Sequence, residues 1–424
     1  MAAAPSSLQR PVLAAMTAPA GRWRLRRLLS APHRLGFAFG AAGMSTAALW
    51  WLAVLVAPGL GFEPRWAVPP ALAHALLFTL GFMPAFMAGF LFTAGPRWLG
   101  QPGVEARLLL SALLQFGLGW LVALVGVHVD AWLMALGVAA AGCGWLRLSL
   151  RFAALLRASR VPDRRHARAV LVASFVGVAA LLLACVALVQ GDAALLRGAV
   201  QLGLWGFIGA VFAVVSHRMI PFLSAAALPR LEAWRPDALL LPMLAGLALA
   251  GIAEMAWLPP WLLVPPLAAA ALALLTVALR WRLLRRFNGP AQRVLAMLRG
   301  GFAWLGLALG LQAVSLALQA LGRGGLGAAP LHALTVGWLG CTLVATVTRV
   351  TAGHSGRSLA IDGPGWAAYR LLQLTALLRV AAALGWGGRA SLLAAAALWA
   401  TVSTTWAWRC GGWLGRPRMD QRPG

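Results

Sequence analysis

No lysine occurs in this sequence, and only 10 of its 424 residues are acidic. So few carboxylates leave little scope for carboxylate-driven proton pumping through a membrane. The four cysteines, Cys143, Cys185, Cys341 and Cys410, stand alone with no CxxC spacing, which excludes a disulfide framework. Three of them read as small apolar residues within helices, and Cys410 falls at a helix end. There is no phosphate-binding Walker loop, dinucleotide fingerprint, HExxH pair or nucleophile elbow, so no classical catalytic motif is present. Long polar stretches are also missing, which leaves no room for a soluble domain.

What the chain has is apolar residues, 61% of the total, with a mean hydropathy of +0.80. Soluble domains are about 45–50% apolar, so this chain needs a second apolar medium besides its own core. The runs are roughly 20 residues long, enough to cross about 30 Å of hydrocarbon as helix. They are continuous and rich in Ala and Leu, unlike the ten-residue alternation of a membrane barrel. Twelve segments are expected, near 34–57, 70–93, 106–126, 129–157, 166–189, 193–216, 236–257, 259–282, 296–321, 329–351, 366–386 and 389–409. The fold class is therefore all-α, a polytopic transmembrane helix bundle of about 12 helices. Residues 1–33 read as an Arg-rich cytoplasmic tail, 34–409 as the membrane domain and 410–424 as a second cytoplasmic tail. No internal repeat is evident.

All 36 basic residues are arginine, and the net charge is +26. In a soluble protein that would suggest nucleic acid. Here the arginines cluster in alternate gaps between apolar runs, which is the pattern of membrane orientation, so no nucleic-acid partner is expected. The opposite gaps hold only Arg65, Arg197, Arg323 and Arg389. With the Arg-rich gaps in the cytoplasm, both termini are cytoplasmic.

Polar side chains within a bilayer are costly, so the seven histidines are informative. His128 and His166 fall in gaps and read as solvent-facing. His74 lies a few residues into the second helix, and His332 a few residues into the tenth. Both helices run the same way, so the two share a depth near the Arg-poor face. His33, His217 and His354 flank helices one, six and ten at the Arg-rich face, beside Arg34, Arg218, Arg349 and Arg357. The outer pair suits axial ligation of a haem, and the inner histidines suit copper, a haem propionate or another anion.

At about 100° per residue, Gly81, Ala85 and Ala88 share the face of His74, and Gly203, Gly206, Ala210 and Ala213 share that of His217. Small residues there allow either a flat cofactor or close helix contact. In helix ten a polar stripe of Thr335, Thr342, Thr346 and Arg349 runs from one end to the other, over about 33 Å. It either lines a path or consists of threonines bonded back to their own helix, with Arg349 reaching for the interface. Arg379, mid-helix in the eleventh segment, has no partner assignable from sequence, since Glu254 lies near the outer end of helix seven.

The same residues resemble a known family. His74-Ala75-Leu76-Leu77-Phe78, with Gly89 to Ala94 and Pro96-Arg97-Trp98, is similar to the second-helix motif of the NnrS family. His217 to Phe222 resembles its sixth-helix signature. His332 to Gly337, Thr348-Arg349-Val350 and Gly353-His354-Ser355-Gly356-Arg357 resemble its most distinctive block. The resemblance implies a twelve-helix bacterial inner-membrane protein containing haem and copper, associated with denitrification and nitric oxide tolerance. It makes His74, His217, His332 and His354 candidate haem or metal ligands, with Arg218, Arg349 and Arg357 in support. Leu72 and Ala75 stand where many members carry the first histidine and the glutamate of a His-x-His-Glu sequence, so only His74 remains. His33, just before helix one, is a candidate replacement ligand.

The expected function is thus a haem-binding, copper-capable membrane protein of the nitric oxide response. Nitric oxide is its small-molecule ligand, and the redox partner is unassigned. Two other classes stay open: a metal-free secondary transporter using the helix-ten stripe and a broken helix at Pro84, and a non-catalytic assembly or cofactor-delivery protein.

Overall fold

The computed structural model describes residues 21–225, 236–280 and 290–420. The first 20 residues of the expected N-terminal tail, the last four of the C-terminal tail and two gap segments on the Arg-rich face lie outside these. Every described element is helical. Eleven helices are long and apolar enough to cross a membrane: α1 Pro32–Leu60, α2 Pro70–Trp98, α3 Arg107–Val129, α4 Ala131–Ala158, α5 Arg165–Gln190, α6 Ala193–Phe222, α7 Asp237–Glu254, α8 Pro260–Arg280, α9 Arg293–Ala320, α10 Ala329–His354 and α12 Gly388–Leu414. The remaining expected segment forms α11, Gly363–Ala383, a helix of spanning length made less apolar by Arg370 and Arg379. Helix α2 runs past the expected end near 93 and takes in Gly95-Pro96, because a proline in the last turn removes only one bond from the ladder.

Helix ends follow from local chemistry. Asp130 and Asp192 accept bonds from the first backbone N–H groups of α4 and α6, and Asp362 does so for α11. Gly191 ends α5 in the left-handed conformation, at φ 68°, where a Cβ would be strained.

Most consecutive helices pack as neighbours, and α12 returns to α1 to close the ring. Arg34 fastens this closure. It is buried, and its guanidinium donates to the carbonyls of Leu414 (2.7 Å) and Arg416 (2.9 Å) at the negative end of α12. Trp23 Nε1 and the Arg24 backbone N–H add bonds to Gly411 and Gly415 of the same end. Glycines set the closest crossings. A Cβ on Gly36 would lie 2.5 Å from the Gly89 backbone, so α1 and α2 touch through main chain.

Four helices are withdrawn from the periphery. In their most apolar windows 83% of α2, 72% of α10 and 61% of both α6 and α9 is buried, against 28–50% for the other spans among the described residues. Of these, α2, α6 and α10 each contain a π-helical stretch: Leu77–Gly81, Leu202–Gly209 and Ala333–Gly340. Such turns are rare and gather at functional sites. These three helices stand four apart in the chain order, and the residues echo this in part: Gly206 and Gly209 hold the same places in the α6 stretch as Gly337 and Gly340 in the α10 stretch, and His-Ala-Leu stands at the π turns of α2 (74–76) and α10 (332–334). In α2 the π turn is followed by a break at Phe82 (φ −134°), after which Met83-Pro84 restarts the helix.

Arg34→Gln should destabilise the purified protein by roughly 1.5–3 kcal/mol, the usual worth of a charged hydrogen bond. The exposed Arg26→Gln should stay within about 0.5 kcal/mol of wild type. Thermal unfolding of both variants in one detergent checks this.

Candidate functional site

The inner helices meet side chains from their neighbours at two ends and enclose a cavity between them. At the Arg-poor end, His74 of α2 and His332 of α10 lie within electrostatic reach of one another and of Arg379 from α11. The His332 Nδ1–H donates to the Ala328 carbonyl at 2.7 Å. That bond fixes the tautomer and leaves Nε2 with its lone pair, the usual arrangement of a ligating imidazole. His74 is stacked on Trp51, ring centroids 4.0 Å apart, and touches Phe78 at 4.2 Å. Its Nδ1 is buried without a partner. Trp399 of α12 packs against Phe78 and the Gly340 turn, with a buried, unpartnered Nε1. Arg379 has no ion pair among the described residues. Glu254 is occupied elsewhere, accepting from Gln312 at 3.1 Å and Gln201 at 3.4 Å.

At the Arg-rich end the structure forms pairs. His33, at the start of α1, lies against His354, at the end of α10, with ring centroids 4.3 Å apart. His33 is buried, and its Nδ1 has no partner. His217 pairs instead with His166: His166 Nε2 and His217 Nδ1 are 3.0 Å apart, and His217 Nε2 lies 3.1 Å from the Pro236 carbonyl. His33, His217 and His354 therefore do not form one set. No group of three or more His, Cys, Asp or Glu side chains suited to a metal occurs among the described residues. His166 is not solvent-facing as expected. Helix α5 starts at Arg165, which puts His166 in its first turn and turns the ring inward to 7% exposure. His128 is half-buried, accepting from Trp50 Nε1 at 3.0 Å, with its Nδ1 3.1 Å from the Arg65 carbonyl.

The supporting arginines separate. Arg218 lies over the Trp98 ring at 4.9 Å and lines, with Arg349, a cavity of about 550 Å³ between α2, α6 and α10. Arg97 and Arg418 line it too, as does His354. Arg357 is directed away, over Trp413. Burial, then the charges of Arg416 and Arg409, lower its pKa.

In mid-bundle the small-residue stripes serve helix contact. A Cβ on Gly203 would meet Leu80 at 3.1 Å, and one on Gly206 would meet Val176 at 2.9 Å. The polar stripe of α10 divides. Thr335 bonds back to Leu331 at 2.9 Å, whereas Thr342 and Thr346 line an apolar cavity of about 50 Å³ walled by Phe86, Phe212 and Leu343. Ser216 and Thr342 meet this cavity with buried, unpartnered hydroxyls.

Arg379, His166, Arg97 and Arg418 were not singled out as site residues from sequence. Arg97 falls inside a quoted motif. The mid-helix position of Arg379 was the only signal for it.

Thr342→Val, which removes an unpaired buried hydroxyl at constant shape, should stabilise the protein by about 1 kcal/mol. An unfolding midpoint at or below that of wild type would show that the hydroxyl has a partner. A family profile described as NnrS protein matches residues 27–418, nearly the whole chain. No curated protein matches it.

Proposed function

The chain belongs to the NnrS family, and from that premise we propose that it is a haem-binding membrane protein of the nitric oxide response, with His74 and His332 as the residues that would hold the haem. The proximity of these two half-buried imidazoles to each other and to Arg379, beside Trp51 and Phe78, supports the reading. The donor set fits the group. One imidazole already has its tautomer fixed, the other has an unpaired buried nitrogen, and Arg379, without an ion pair among the described residues, carries the charge that suits a propionate. A bound haem would supply an iron centre able to hold nitric oxide.

The protein's own part is to hold the ligands and exclude water. Ala328 orients His332, and Trp51 and Phe78 clamp the His74 ring. Arg379 would offset the negative charge of a haem propionate. The 50 Å³ cavity has room for one small molecule, and the Ser216 and Thr342 hydroxyls that meet it give its otherwise apolar wall two polar points.

Copper fits less well. His33 and His354 offer two imidazoles, fewer than the three of usual copper sites, so copper there needs a ligand beyond the described side chains. The π turns and the break at Phe82 favour one other reading, a metal-free transporter built on discontinuous helices. Substrate uptake into proteoliposomes that survives metal removal would select it.

Purified protein should show a Soret band that shifts when nitric oxide is added after reduction. His74→Ala and His332→Ala should each abolish one spectral component, while His128→Ala leaves the spectrum unchanged. A preparation with no Soret band would end the haem reading.

A further inference from the structure

The largest cavity described lies at the Arg-rich ends of α2, α6 and α10, and its lining divides by chemistry. One part is guanidinium: Arg97, Arg218, Arg349 and Arg418. The other is hydrocarbon and includes Phe90, Met219, Phe222 and Leu359. No acidic side chain is among the described lining residues. Asp420 already meets Arg418 at 2.7 Å, and Arg218 rests on Trp98, but Arg97 and Arg349 have no ion pair among the described residues. Several like charges around one space repel each other unless an anion joins them. Arginine forks suit the oxygens of phosphate in particular.

The position of the cavity identifies the source of that anion. Its lip carries exposed apolar side chains, Phe222 at 56% and Leu359 at 44%, so it opens toward lipid tails as well as toward the headgroup layer. An occupant with a phosphate head and a hydrocarbon body satisfies both parts of the lining. A free inorganic ion would leave the apolar part wet. Basic pockets between membrane helices at this level characteristically hold anionic lipid headgroups.

We propose that this cavity binds the phosphate headgroup of an anionic phospholipid, with Arg218 and Arg349 as the principal contacts and Arg97 at the rim. The site is separate from the His74–His332 end and does not depend on haem. Bound there, the lipid bridges the Arg-rich ends of α2, α6 and α10 and offsets the charges of Arg97 and Arg349, which have no ion pair among the described residues.

The test uses full-length protein in neutral detergent, stripped of lipid and followed by thermal unfolding during titration. Dioleoylphosphatidylglycerol should raise the midpoint saturably. Dioleoylphosphatidylcholine and inorganic phosphate should not. The double variant R218Q/R349Q should weaken the response at least tenfold, and R97Q about threefold. R107Q/R168Q, which removes the same charge from exposed positions elsewhere on this face, should respond as wild type. Equal effects of the two lipids, a wild-type response in R218Q/R349Q, or equal loss in R107Q/R168Q would each overturn the proposal. Saturable stabilisation by inorganic phosphate alone would overturn the lipid source. If R218Q/R349Q does not fold, R97Q and R418Q decide: an unweakened response in both overturns the site. The Soret absorbance of the same samples reports separately on the haem reading.

Discussion

A charged or hydrogen-bonding side chain cannot be left facing hydrocarbon, and this constraint organises the molecule. The chain meets it by burying α2, α6, α9 and α10 more deeply than the other helices. Nearly all the chemistry-bearing side chains lie on α2, α6 and α10 or touch them. His74, His217, His332, His354, Arg218 and Arg349 are on them, while His33, His166 and Arg379 reach them from α1, α5 and α11. The ring keeps its shape through main-chain contact at glycines and through the grip of Arg34 on the end of α12. The π turns add to this. They widen each inner helix just where a neighbour packs against it, as Leu80 does at Gly203 and Trp304 does at Gly337.

The two ends of the inner trio differ in chemistry. The Arg-poor end is compact and aromatic, with two imidazoles and one arginine. The Arg-rich end is open and cationic, with a cavity suited to an anionic head and an apolar body. A small apolar cavity lies between them, lined by the same three helices. On the two proposals, the helices that would hold a cofactor at one end would be spaced by lipid at the other.

Much of this was legible in the sequence because it is local. Apolar runs of spanning length define the helices, and the alternation of arginines orders them. Depth along a helix follows from position, so His74 and His332 could be matched across more than two hundred residues. What was not legible depends on rotation and long-range docking. His33 meets His354 only because α12 draws α1 beside α10, and His166 meets His217 only because α5 begins one residue before it. The Gly and Ala stripes were ambiguous because the same residues serve a cofactor face and a close crossing, and the structure uses Gly203 and Gly206 for crossing. The regular placing of the three π turns is a property of the backbone that the residues mark only in part, through Gly206 and Gly209 against Gly337 and Gly340 and the His-Ala-Leu shared by α2 and α10.

The central claim is that α2 and α10 bring two imidazoles to one shared space beside Arg379. A side-chain-resolved density map of the purified protein, recorded by electron cryomicroscopy, tests it most directly. The account predicts both rings directed at a single feature lying between α2 and α10, with the Arg379 guanidinium at its edge. Rings directed apart toward lipid, or α10 rotated so that His332 leaves the bundle interior, would contradict it.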